Sequence, residues 1–161
     1  MSLELEIPFE TEEGYQYLVS FREVTTHQNN YDIALVDVSI VLMSLNIESN
    51  SYKTLNKFIG IIFDYLLNND IIIYYYCDVV PIKIRKNRNI KFSPQEFRFK
   101  MFSTMFSKRN SQEFYFQEII LTDHEENNHY TSLISKISNR EKIDLVKSDI
   151  EKLNKQAHTI A

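Results

Sequence analysis

Residues 71–77 read Ile-Ile-Ile-Tyr-Tyr-Tyr-Cys, an unbroken apolar run set between Asn68-Asn69-Asp70 and Asp78. The run is too short for a buried helix and too rich in β-branched and aromatic side chains, so it predicts a strand buried on both faces. Such a strand belongs at the centre of a sheet. Asp78 ends it, and Pro81 prevents simple continuation. The rest of the chain has to supply its neighbours.

Upstream, period-two alternation does so. Tyr15, Tyr17, Val19 and Phe21 alternate with Gln16, Ser20 and Arg22, and Ala34, Val36, Val38, Ile40 and Leu42 alternate with Asp37 and Ser39. Each is the pattern of a half-buried strand, and the polar His27-Gln28-Asn29-Asn30 predicts a turn between them. The opening Leu3, Leu5 and Ile7 alternate with Glu4 and Glu6, which suits an edge strand charged outward.

Helical spacing appears in three places. Leu55, Phe58, Ile59, Ile62, Phe63 and Leu66 recur at steps of three and four, with Ser51 as a cap. Ser93-Pro94-Gln95-Glu96 combines a capping Ser, a Pro suited to the first helical position and a Glu that closes a capping box, so a helix starts at Pro94. Phe97, Met101, Phe102, Met105 and Phe106 form its apolar side, and Lys108-Arg109 close its last turn. Two further strands, 113–122 and 129–137, flank a polar hairpin loop at 123–128. Ser138-Asn139-Arg140-Glu141 repeats the capping spacing and opens a helix with Ile143, Val146, Ile150 and Leu153 on one stripe and Lys147 and Glu151 on its wet side. The order βββαβαββα predicts an α+β fold: a mixed, mostly antiparallel sheet of about five to six strands, one parallel pairing near the centre, and three helices against one face.

At 161 residues the chain is long enough for one domain spanning 1–161, burying roughly two-thirds of its unfolded surface. Aromatic residues make up 13% while Gly and Pro number two and three, which excludes collagen-like, coiled-coil and disordered classes. A single Cys excludes a disulfide framework and a Cys-rich zinc module. Glu4, Glu6, Glu10, Glu12 and Glu13 are the reverse of a basic export signal, and Cys77 fits a reducing compartment, so a cytoplasmic location is expected. The longest apolar stretch, 58–80, is interrupted by Asp64, Asn68, Asn69 and Asp70, and no membrane span is expected. Abundant Ile, Asn, Lys and Tyr suggest an AT-rich genome, for which a phage-related or defence context is the expected setting.

The strand end Tyr75-Tyr76-Cys77-Asp78 and the helix segment Arg98-Phe99-Lys100-Met101-Phe102-Ser103-Thr104-Met105-Phe106 resemble a family of small bacterial proteins of unknown function, common in Bacteroidetes. That family carries Tyr-x-Cys-Asp at a strand end and Arg-x-x-x-Phe-x-x-Trp-Phe on the next helix, with Met105 here in place of Trp. Tyr130-Thr131-Ser132-Leu133-Ile134 resembles the strand before its last helix, so the likeness runs from about Ser51 to the C-terminus. The family usually has an Asp-Gly-Arg-Gln-like turn after Cys-Asp, whereas 79–92 is here a longer basic insert without Gly. The resemblance implies a fold and names no reaction.

Between Ile82 and Asn110 lie Lys83, Arg85, Lys86, Arg88, Lys91, Arg98, Lys100, Lys108 and Arg109 against the single acid Glu96, a charge of +8. The net charge of −4 therefore conceals a remainder of −12. A basic loop leading into a helix N-terminus suits an anion, and the plain alternative is a solvated charged face. Cys77-Asp78 at a strand end invites an enzyme reading, against which stands a buried Cys followed by a turn. His124 and His129 are five apart and miss the one-face spacing of a helical zinc site, so 123–129 predicts an exposed hairpin tip serving its own turn. Arg22 and His27 have the spacing of a motif from a helical ribonuclease superfamily, but Arg22 ends an alternating strand. Tyr74-Tyr75-Tyr76 predicts core packing, with one ring facing a groove.

The function expected is binding without catalysis: Lys83, Arg85, Lys86, Arg88, Lys91 and Arg98 contact an acidic partner, either a protein or nucleic acid. No catalytic residue, metal or cofactor is expected, and a homodimer is compatible with this reading. The alternative is a small hydrolase or nuclease with its site near Cys77 and Asp78.

Overall fold

The computed structural model describes residues 3–12, 14–24, 31–43, 52–76, 94–110, 112–125 and 127–159. The turn expected at 27–30, the caps Ser51 and Ser93, Cys77, Asp78 and the basic insert 79–92 lie outside these residues.

Alternating segments form strands β1 (Leu5–Glu10), β2 (Gln16–Glu23) and β3 (Leu35–Leu42), and the three-and-four pattern that follows forms α1 (Tyr52–Asn68). The apolar run forms β4 (Ile72–Tyr76). Helix α2 (Pro94–Arg109) starts at the proline, where the missing N–H costs nothing. Strands β5 (Phe114–Thr122) and β6 (Asn128–Lys136) make a hairpin, and a 3-10 turn (Ile137–Asn139) leads into α3 (Arg140–Thr159). One six-stranded sheet results, in the order β1-β2-β3-β4-β6-β5. All pairs are antiparallel except β3–β4, where Leu35 faces Ile72 and Val38 faces Tyr75 across the α1 crossover. Among the described residues no helix is long and apolar enough to cross a membrane.

The helices do not share one face. Ile73 and Tyr75 of β4 join Phe58, Ile62, Phe102 and Phe106 of α1 and α2, together with Val19, Phe21, Val36 and Val38. Ile72 joins Leu133 of β6 and Ile143 and Val146 of α3 in a second cluster. Side chains alternate along a strand, so a strand that is apolar at every position needs cover on both sides, and α3 supplies the second. Its stripe ends at Ile150, since Leu153 is 65% exposed. Over β1–β3 the α3 side is mixed: register places Glu6, Ser20 and Ser39 in one row, Arg22, Asp37 and Tyr74 in another, and Pro8, Leu18 and Val41 in a third.

Helix α2 turns the expected Phe102, Met105 and Phe106 inward, with Met101 packed at their edge, and adds Phe99 to that stripe. Phe99, Phe102 and Phe106 are buried, Met101 is only half-buried, and Phe97 lies outside the described side chains. The Phe102 ring sits 4.6 Å from that of Tyr75, and Phe63 of α1 stacks on Phe106 at 5.0 Å. Arg109 closes this seam: its guanidinium lies 5.4 Å over the Phe63 ring and donates to the Asn56 carbonyl at 3.1 Å. Gly60 admits it, because a Cβ there would stand 3.1 Å from the guanidinium. Tyr65 of α1 stacks on Phe21 at 3.9 Å and donates to the Leu3 carbonyl at 2.7 Å, which ties the chain's opening residues to the core.

Candidate functional site

The described part of the basic segment is the helix α2. Lys100 pairs with Glu96 at 3.7 Å, and the Tyr130 hydroxyl donates to the same carboxylate at 2.7 Å. Burial first, then this bond to Glu96, push the Tyr130 phenol above its ordinary range. Arg109 is held in the α1–α2 seam, and Arg98 is half-buried. Lys108 is exposed. Several α2 cations thus contribute to the fold itself, and Lys83, Arg85, Lys86, Arg88 and Lys91 lie outside the described residues.

A different constellation stands at the end of β4. Tyr75 points into the α1–α2 core and is 7% exposed, as core packing requires. Tyr74 packs beside the α3 cluster, and alternation puts Tyr76 on that same side. Register pairs Tyr76 with Thr131, so His129 is its diagonal neighbour on β6, within reach of an aromatic side chain. The Tyr76 hydroxyl and His129 Nδ1 are 2.8 Å apart, and His129 Nε2 is 3.0 Å from Asp123 Oδ2. The carboxylate can only accept, which makes Nε2 the protonated nitrogen of neutral His129 and leaves the Nδ1 lone pair to accept from the phenol.

Asp123 is itself fixed. Its Oδ1 accepts the backbone N–H groups of Glu125 and Asn127, both at 2.9 Å. The bond to His129 first, and these backbone bonds after it, hold its carboxyl down at about 2. The tip expected to serve its own turn therefore does so through Asp123, and it also reaches across to Tyr76. His129 and Asp123 side chains are 34% and 30% exposed, so the chain of bonds opens to solvent.

Elsewhere on the α3 side, burial raises the Asp37 carboxyl and the charge of Arg22 opposes the shift. Among the described residues no group of three His, Cys, Asp or Glu side chains is placed to hold a metal ion. Two shallow depressions among them are open to solvent, one along α3 beside Lys147 and Glu151, the other between α2 and β5 beside Lys108 and Glu118. Neither is lined by Tyr76, His129 or Asp123. No protein-family model, curated protein or solved structure matches the chain.

Proposed function

We propose that the protein acts by binding an acidic partner, protein or nucleic acid, through its basic segment 82–110, in a bacterial cytoplasm and in a phage-related or defence context. The observation that carries this is the separation of charge, +8 in that segment against −12 in the remainder. Helix α2 adds an anchor: its aromatic face is packed on the sheet, which gives the downstream end of the segment a fixed base. Because Lys100 and Arg109 already have partners within the fold, affinity rests on Lys83, Arg85, Lys86, Arg88 and Lys91 upstream. On this reading the chain belongs to the small bacterial family its sequence resembles. Phe102, Met105 and Phe106 of its helix motif are core residues here, so that part of the motif is explained by packing.

Fluorescence anisotropy with labelled single-stranded and duplex oligonucleotides tests the nucleic-acid form of this reading. Affinity should fall steeply with salt as counterions are released. Replacing Lys83, Arg85, Lys86 and Arg88 together with Ala should abolish it, while Lys152→Ala, outside the segment, changes it little. Absence of binding at low salt, with an acidic protein captured instead, would assign the segment to a protein partner. Affinity indifferent to salt would sink the electrostatic basis altogether.

A second reading, a small hydrolase or nuclease acting near Cys77 and Asp78, is favoured by one observation. The hydrogen-bonded chain Asp123–His129–Tyr76 ends on the residue immediately before Cys77. Asp78→Ala tests the part assigned to that carboxylate, and unchanged nucleic-acid cleavage would remove Asp78 from it.

A further inference from the structure

We propose that Tyr76 is a nucleophile toward phosphodiesters, with His129 as its base and Asp123 as the positioning residue. This rests on the second reading above and names its reactive group. A weak nucleophile becomes useful when a base lies within hydrogen-bond reach and a third group orients that base. Tyr76 meets His129 at 2.8 Å, His129 meets Asp123 at 3.0 Å, and the turn holds Asp123 through two backbone N–H groups. The tautomer is the required one: Nε2–H faces a carboxylate and the free lone pair of Nδ1 faces the phenol.

The class of substrate follows from the surroundings. His129 and Asp123 are 34% and 30% exposed, so the chain of bonds is reached from solvent. A reactive group this open works on a substrate held by contacts elsewhere, as a polymer is. The cations of 82–110 make that polymer anionic, and nucleic acid supplies the phosphodiester.

The step balances with no co-reactant but solvent water. Tyr76 Oη attacks phosphorus while its proton passes to His129 Nδ1. The bond from phosphorus to the departing sugar oxygen breaks on the opposite side, in line with the attack; that oxygen takes a proton from water, and the imidazolium returns its own to solvent. The products are a phosphotyrosyl ester and a free hydroxyl end.

The experiment incubates the full chain, in buffer with magnesium, with single-stranded and duplex oligonucleotides labelled with fluorescein at one end or the other. Denaturing gels report adduct and cleavage, anisotropy reports binding, and circular dichroism checks the fold of each variant. A labelled band that survives detergent is expected, and Tyr76→Phe should remove it with the binding isotherm unchanged. Asp123→Asn keeps the Oδ1 acceptor but presents an amide N–H to Nε2, which forces His129 into the wrong tautomer. It should slow adduct formation by roughly 10²- to 10⁴-fold and alter its pH profile, which loss of a turn contact alone would not do. Cleavage without an adduct, or an adduct that survives Tyr76→Phe, overturns the nucleophile and sustains the nuclease reading. Binding with neither adduct nor cleavage overturns both.

Discussion

Asp123 uses its two oxygens for two tasks, fastening a turn with Oδ1 and orienting His129 with Oδ2. Its carboxyl, ordinarily at 3.8, is held down at about 2, so what it adds to stability is fully present above 3.8 and is lost as pH falls toward 2. Asp123→Asn is expected to flatten the acid limb of stability across that window, read as the urea midpoint at successive pH values. Tyr31 behaves in the opposite sense: burial first, then its 2.6 Å bond to Asp149, push the phenol from 10.0 up to about 12. Its contribution is complete below 10.0 and is lost as pH rises through 12, and Tyr31→Phe should remove that alkaline loss. The Tyr76–His129 contact was beyond sequence reasoning, because the two residues are 53 apart and meet only through strand register. The available signal was weak: three tyrosines on one strand must alternate sides, so they cannot all serve one core.

At the scale of elements, α2 shows both what was legible and what was not. Capping chemistry is local, so Pro94 fixed the start of the helix. The buried stripe depends on which neighbours the helix meets, and Phe99 goes inward with Phe102 and Phe106 because α1 and the sheet together surround that side. Phe102 is fully buried among Phe58, Tyr75 and Phe116, and Phe102→Ala should cost about 3–5 kcal/mol in urea unfolding. Gly60→Ala weighs a helix-propensity gain of up to about 1 kcal/mol against a Cβ 3.1 Å from the Arg109 guanidinium. That guanidinium is the far end of an exposed, flexible side chain and can shift. A raised midpoint is therefore expected for Gly60→Ala, and a lowered one would mean that Arg109 is held firmly over Phe63.

At the scale of the whole molecule, the α+β class, the order of elements and the central strand were all readable, since each rests on local periodicity. The distribution of helices was not. The stripe Ile143, Val146 and Ile150 looks the same whichever side of a sheet receives it. The apolar run at β4 nonetheless implied cover on both sides, and that implication was in tension with three helices on one face. The β3–β4 pair carries a further consequence. It is the one parallel contact among the described strands, and it joins the antiparallel meander β1-β2-β3 to a second antiparallel set, β4-β6-β5, in which only β5 and β6 are consecutive. The β1-β2-β3 meander and the β5–β6 hairpin can form from near neighbours, but the β3–β4 join must close the chain through α1, and the β4–β6 pairing the longer chain through α2 and β5, before pairing rewards either. Val38, 2% exposed at this join, is therefore a position where truncation to Ala should slow folding more than it speeds unfolding. The clock of folding is set by two halves finding each other, and the hairpins are ready long before it strikes.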